Sequence, residues 1–144
     1  MDIKKIGVIG AGQMGHGIAL VSAKAGYDVV LRDITKEYVE KGISKIDRFL
    51  SKSVEKGRMK DEKKKKILSK IKGTTNISDV KDADIVIEAI FENVKVKKEL
   101  FKELDDICKK ECILASNTST IPITDLASVT KRPGKFIGMH FMNP

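Results

Sequence analysis

Cysteine is scarce in this chain: Cys108 and Cys112 are the two in 144 residues. So few thiols exclude a secreted disulfide scaffold. They stand four apart across the expected end of a helix and lack the further ligands of a zinc site, so a structural or incidental role is expected of them. Aromatic residues are also few, at 5%. A chain with neither interleaved aromatics nor a recognised nucleic-acid motif is not expected to bind nucleic acid, however basic it is. Long apolar runs are missing too, far below the roughly 20 residues that a membrane-spanning helix needs. Met1-Asp2-Ile3-Lys4-Lys5 leads straight into the first expected strand, so neither a signal nor a transit peptide is expected, and cytoplasm is the default compartment. Histidine occurs twice, at His16 and His140, which leaves few places for imidazole chemistry.

What is present fits one domain with a real core: 41% hydrophobic and 33% charged residues. The net charge of +8 is localised. Residues 36–72 hold fourteen Lys/Arg against six Asp/Glu, and the rest of the chain holds fourteen of each. A solvated lysine-rich helical face accounts for such a run, and so does a landing surface for a polyanion.

The most informative segment is Lys4-Lys5-Ile6-Gly7-Val8-Ile9-Gly10-Ala11-Gly12-Gln13-Met14-Gly15, followed eighteen residues later by Asp33. Strand, tight glycine turn, helix, strand and acid is the order of a dinucleotide-binding fingerprint. Gly10 allows the turn, Gly12 lets backbone approach a pyrophosphate, and Gly15 lets helix and strand pack closely. The N–H groups and positive end of the helix favour phosphate. Asp33 is placed to accept from the adenosine ribose hydroxyls and to repel a 2′-phosphate, which favours NAD over NADP; Arg32 beside it pulls the other way.

Strands are expected at 4–9, 28–32, 73–76, 85–90, 112–116 and 136–141. Helices are expected at 12–25, 35–56, 61–71, 94–108 and 121–129, with a helical turn at 78–81. Val39, Ile43, Ile46, Phe49, Leu50 and Val54 recur at helical spacing in the long second helix. Gly26 and Gly57 mark helix ends, and Asp61 is the expected N-cap of the next helix. The alternation implies an α/β fold: a Rossmann-type doubly wound, mainly parallel sheet with an inserted basic helical hairpin. Ligands of such sheets bind beyond the carboxyl ends of the strands. The glycine turn, Asp33, residues 89–92, residues 116–119 and His140 all fall on that edge.

Four segments carry a resemblance: Gly10-Ala-Gly-Gln-Met-Gly15, Glu88-Ala-Ile-Phe-Glu-Asn-Val-Lys-Val-Lys97, Ala115-Ser-Asn-Thr-Ser-Thr120 and Gly138-Met-His-Phe-Met-Asn-Pro144. In order and spacing the chain resembles the 3-hydroxyacyl-CoA dehydrogenase family, and within it the short-chain bacterial 3-hydroxybutyryl-CoA dehydrogenases, over its whole length. The resemblance implies hydride transfer between C3 of an acyl-CoA, such as 3-hydroxybutyryl-CoA or acetoacetyl-CoA, and NAD. It implies that His140 is the general base, as suits a group titrating near neutral pH. A strand-end histidine bonded to backbone is the alternative. It gives Ser119 a substrate contact beside the nicotinamide, where Ser119 is otherwise an N-cap for the following helix, an ambiguity shared by Ser116, Asn117 and Thr118. It implies cofactor contacts by Gly10, Ala11, Gly12, Gln13, Met14, Gly15, Asp33, Ala89, Glu92, Lys97, Asn117, Ser119 and Asn143. Without the resemblance, Lys97 reads as an exposed helix lysine and His16 as a helix-surface residue. The basic hairpin is then expected over coenzyme A, with Lys52 and Lys56 on its phosphates. Phe49 stands where the family often has serine.

Family members also have a glutamate downstream of the histidine, which orients the ring, and a helical domain that supplies an asparagine and the homodimer contact. Residues 1–144 are therefore expected to be the NAD-binding half, with the helical dimerisation domain absent and little dehydrogenase activity alone. No metal is expected. The competing readings are another β-hydroxyacid dehydrogenase, a non-catalytic NAD-binding or structural relative, and a basic nucleic-acid binder.

Overall fold

The first strand, β1 (Lys5–Ile9), sets Ile6 and Val8 on one face and Ile9 on the other, and both faces are covered. The same holds for β2 (Asp28–Arg32), where Val29 and Leu31 oppose Val30, and for β4 (Ile85–Glu88), where Ile85 and Ile87 oppose Val86. Strands covered on both faces are near-continuously apolar, as parallel strands between helical layers must be. The computed structural model describes residues 2–142. Within them, β3 (Ile71–Thr74), β5 (Ile113–Ser116) and β6 (Phe136–Gly138) complete a sheet of order β3-β2-β1-β4-β5-β6. Every pairing in it is parallel, where the sequence reading expected a mainly parallel sheet.

One layer consists of α1 (Gln13–Lys24), α2 (Lys36–Glu55) and α3 (Asp61–Ser69), which bury Ile18, Ile46, Leu50 and Ile67 against the sheet. The other consists of α4 (Val94–Ile107) and α5 (Ile123–Ala127), which bury Phe101, Leu104 and Leu126. Phe101 meets Phe136 of β6 edge-on, with ring centroids 4.6 Å apart. Thr35 caps α2 by accepting from the Tyr38 N–H. α2 and α3 form the expected basic hairpin between β2 and β3.

Several boundaries differ from the sequence reading. α3 stops at Ser69, and Ile71 opens β3 because its backbone pairs with Val29 along the sheet edge. Lys60, not Asp61, is the N-cap; Asp61 lies in the first turn and pairs with Lys65 at 3.2 Å. β4 ends at Glu88, since the Ile90 N–H turns back to the Glu88 carboxylate at 2.8 Å. β6 ends at Gly138, so His140 lies two residues beyond it. Phe49 is 54% exposed rather than part of the α2 packing face.

Cys108 and Cys112 are both buried where α4 gives way to β5. The hydrogen bond that the Cys108 S–H donates to Cys112, together with burial, pushes the Cys108 thiol far up from its usual range and disfavours its thiolate. Arg132 closes the same region. Its guanidinium donates to Asp105 at 2.6 Å and to the carbonyls of Asp105, Cys108, Lys109 and Cys112. At the amino edge of the sheet, Asp84 accepts from the Lys4 and Lys5 N–H groups at 2.8 and 2.9 Å and from Lys109 at 2.6 Å.

Candidate dinucleotide and active site

The glycine turn depends on two close approaches. Gly10 has φ 106°, and a Cβ there would lie 2.6 Å from the Ala89 carbonyl oxygen. A Cβ on Gly15 would lie 1.6 Å from the Gly10 carbonyl oxygen. Any side chain at either site would force the first turn of α1 away from β1 and β4. Gly12 differs: its missing Cβ would meet nothing within 4 Å. That space is open, and no side chain caps the helix behind it. The uncapped, positive end of α1 thus suits an anionic ligand.

Asp33 follows β2 on the same rim. Its carboxylate accepts from the Ala11 N–H at 2.8 Å and from the Ile34 N–H at 2.7 Å. Both oxygens keep further acceptor capacity. Gly10, Ala11, Gly12 and Asp33 line a cavity of about 490 Å³ with Tyr38, Lys41 and Phe91. These features suit the adenosine and pyrophosphate of a dinucleotide: an acid at hydroxyl level, an uncapped helix start, and apolar walls.

A second cavity of about 310 Å³ adjoins the first through Ala89 and Ile90, which line both. Met14, Glu92, Lys97, Asn117, Ser119, His140 and Phe141 complete its lining. Lys97 is not the exposed lysine that its helix suggested; it is 1% exposed. Its ammonium pairs with Glu92 and lies 3.1 Å from Glu88. Glu92 also accepts from the Thr118 and Thr120 hydroxyls at 2.7 and 2.8 Å. Burial raises the Glu92 pKa, but the hydrogen bonds from Lys97, Thr118 and Thr120 outweigh it and hold the carboxyl near about 2.

Ser119 is not the N-cap that sequence left open. Thr118 Oγ1 accepts the Thr120 and Ile121 N–H groups, and α5 starts at Ile123 after an uncapped Pro122. The exposed Ser119 hydroxyl has no partner among the described residues. Nor does the His140 ring, so it is not tied to backbone. Its position is set from either side: the Met139 N–H donates to Ser116 O at 2.9 Å, and the Phe141 N–H donates to Asn117 Oδ1 at 2.7 Å. His16, by contrast, has its Nδ1 2.8 Å from Gly12 O on the surface of α1.

A third cavity of about 560 Å³ runs between α1 and α2, lined by Gln13, Met14, His16, Phe49, Phe141 and Met142 among others. Lys52 on α2 and Lys56, its C-cap, are exposed and line none of these three cavities. Asn143 lies outside the described residues. Glu88, to which sequence reasoning gave no role, and Thr118, which it left as one possible N-cap, complete the rim. A signal for this cluster existed: Lys97 falls on the Leu100–Phe101–Leu104 face of α4, and Glu88 ends an otherwise apolar strand.

A wholly parallel sheet with a glycine turn, an acid at the end of the second strand and a polar second chamber defines a nicotinamide-dinucleotide-binding domain. Residues 5–144 match the family described as 3-hydroxyacyl-CoA dehydrogenase, NAD binding domain, and the chain belongs to that family. Among its relatives is a "probable 3-hydroxybutyryl-CoA dehydrogenase" of Deinococcus radiodurans, 53% identical over 97% of this chain and 50% of that protein. Another is a 3-hydroxybutyryl-CoA dehydrogenase of Clostridioides difficile, 48% identical over the same shares. The crystal structure of (S)-3-hydroxybutyryl-CoA dehydrogenase from Ralstonia eutropha superposes with a TM-score of 0.97 at 44% identity, covering 99% of this chain and 50% of that one. The chain spans about half the length of these relatives. No described helix is long and apolar enough to cross a membrane.

Proposed function

We propose that residues 1–144 are the cofactor-binding half of an NAD-dependent 3-hydroxyacyl-CoA dehydrogenase that interconverts 3-hydroxybutyryl-CoA and acetoacetyl-CoA. The observation that carries this reading is the meeting of His140, Ser119 and Lys97 in one chamber that opens into the Asp33 and glycine-turn chamber. NAD, when bound, supplies the hydride acceptor. Asp33 holds the adenosine ribose, and the N–H groups at the start of α1 hold the pyrophosphate. Glu92 and Lys97 hold the nicotinamide-side ribose, and Asn117 and Asn143 are assigned further cofactor contacts. Ser119 donates to the substrate oxygen at C3. His140 takes the proton of the 3-hydroxyl in oxidation and returns it in reduction. Its unpartnered ring is free to turn toward substrate.

Lys52 and Lys56 are assigned to the coenzyme A phosphates; their place on the basic hairpin supports this, although they lie outside the three cavities. Phe49 replaces the expected serine and faces the groove between α1 and α2. A helical second half is assigned the ring-orienting glutamate, the homodimer contact and much of the acyl pocket. Cytoplasm is the assigned compartment, in keeping with two unpaired buried thiols.

The decisive experiment is a ligand series on the 144-residue chain. NAD should raise the melting temperature more than NADP, because a ligand that binds only the native state stabilises it. Equal responses would remove the role given to Asp33. Changing Lys52 and Lys56 to Glu should weaken CoA binding and spare NAD binding; unchanged CoA affinity would reject the hairpin assignment. Acetoacetyl-CoA should turn over slowly or not at all.

A further inference from the structure

We propose that Glu88 is a positioning residue for the nicotinamide end of the cofactor: it aims the Lys97 ammonium and, through Ser116, steadies the segment that carries His140. The proposal rests on the cofactor contact assigned to Lys97 above.

Glu88 is 0% exposed, and three separate parts of the chain converge on its carboxylate. Oε1 accepts from Ser116 Oγ of β5 at 2.5 Å. Oε2 accepts from the Ile90 N–H at 2.8 Å and lies 3.1 Å from Lys97 Nζ of α4. An ammonium has three N–H donors. Glu92 takes one of them in a hydrogen bond, and the Glu88 carboxylate lies 3.1 Å from the ammonium as an ion pair. The ammonium has no other partner among the described residues, although the side chain is 2% exposed and lines the second cavity. A buried charge with an unused donor at a cavity wall is costly unless a ligand accepts it. Two carboxylates hold the ammonium at the cavity wall, where it keeps donor capacity for a ligand. A buried ion pair contributes little net stability compared with apolar packing, so direction rather than stability is what this arrangement supplies.

The second arm runs through Ser116. Its hydroxyl, held by Glu88, accepts the Thr118 N–H at 3.2 Å, and its carbonyl accepts the Met139 N–H at 2.9 Å. One carboxylate thus references both the ribose-side lysine and the backbone beside His140.

The test measures dissociation constants of NAD and of AMP, which fills only the adenosine chamber, for the 144-residue chain and its variants. Glu88→Gln keeps the shape and removes the charge. It should weaken NAD by about tenfold and leave AMP unchanged, the loss of one charge-assisted contact. Lys97→Met should do the same. The double variant should be no weaker for NAD than Lys97→Met alone, because Glu88 acts through Lys97. Equal losses of NAD and AMP, or additive losses in the double variant, would overturn the proposal. Unaltered NAD affinity in Glu88→Gln, with a loss in Lys97→Met, removes this proposal alone; unaltered affinity in Lys97→Met removes the Lys97 assignment as well. Should Glu88→Gln not fold, Ser116→Ala decides: a smaller loss confined to NAD supports the proposal, and no loss rejects it.

Discussion

The side-chain carbonyl of Asn117 accepts a hydrogen bond from the Phe141 N–H at 2.7 Å, tying the loop after β5 to the residue that follows His140. With the bond from the Met139 N–H to Ser116 O, it holds His140 between two fixed neighbours. Asn117→Ala should therefore loosen one side of His140. Amide exchange of Phe141 should speed up while Met139 stays protected, at a cost of about 1 kcal/mol in stability. Unchanged Phe141 exchange would mean that the bond does not position the segment.

Two glycines of one turn should respond in opposite ways. Gly15→Ala places a methyl 1.6 Å from a backbone oxygen and should cost about 3 kcal/mol or more. Gly12→Ala meets no protein atom within 4 Å and should change stability by less than about 1 kcal/mol. Its methyl would instead occupy the face offered to the pyrophosphate, so NAD binding should weaken while the fold survives. Thermal melts with and without NAD measure both.

Acid should act through Asp84. Lys109, then the Lys4 and Lys5 N–H groups, lower its pKa from 3.8 to about 2. A group depressed in the folded state adds stability that is fully present above its ordinary value and disappears as pH falls toward the folded value. The predicted window of loss is thus about pH 4 to 2, worth about 2 kcal/mol. Asp84→Asn should make the stability curve shallower in that window, with the slope that remains carried by Glu92, and leave its shape above pH 5 alone.

Arg132 and Asp105 form a buried pair, 10% and 7% exposed at the side chain. Arg132→Ala would leave the Asp105 carboxylate only the Lys131 N–H and would take the donor from the Asp105, Cys108 and Cys112 carbonyls, and should cost about 3 to 5 kcal/mol. The damage lies far from the cavities, so residual NAD affinity, corrected for the unfolded fraction, should be normal.

Local signals carried much of this. Short apolar runs placed β1 and β2, and the glycine spacing with Asp33 placed the first chamber. Boundaries failed where long-range pairing decided them. Ile71 suits either α3 or β3, and only its pairing with Val29 chooses the strand. Lys97 was misread without the resemblance because lysine on a helix is normally solvated; its burial depends on Glu88, nine residues earlier and on another element. Ser119 and Thr118 compete for the same turn in sequence, and the choice rests on where Glu92 lies.

The near-contact between Gly10 and Ala89 fixes the separation of the two chambers to the rigidity of the sheet itself. The rim therefore behaves as a caliper. A molecule long enough to reach both chambers would be gripped at both tips, whereas a mononucleotide would engage a single jaw, so length as well as chemistry would select the intact coenzyme.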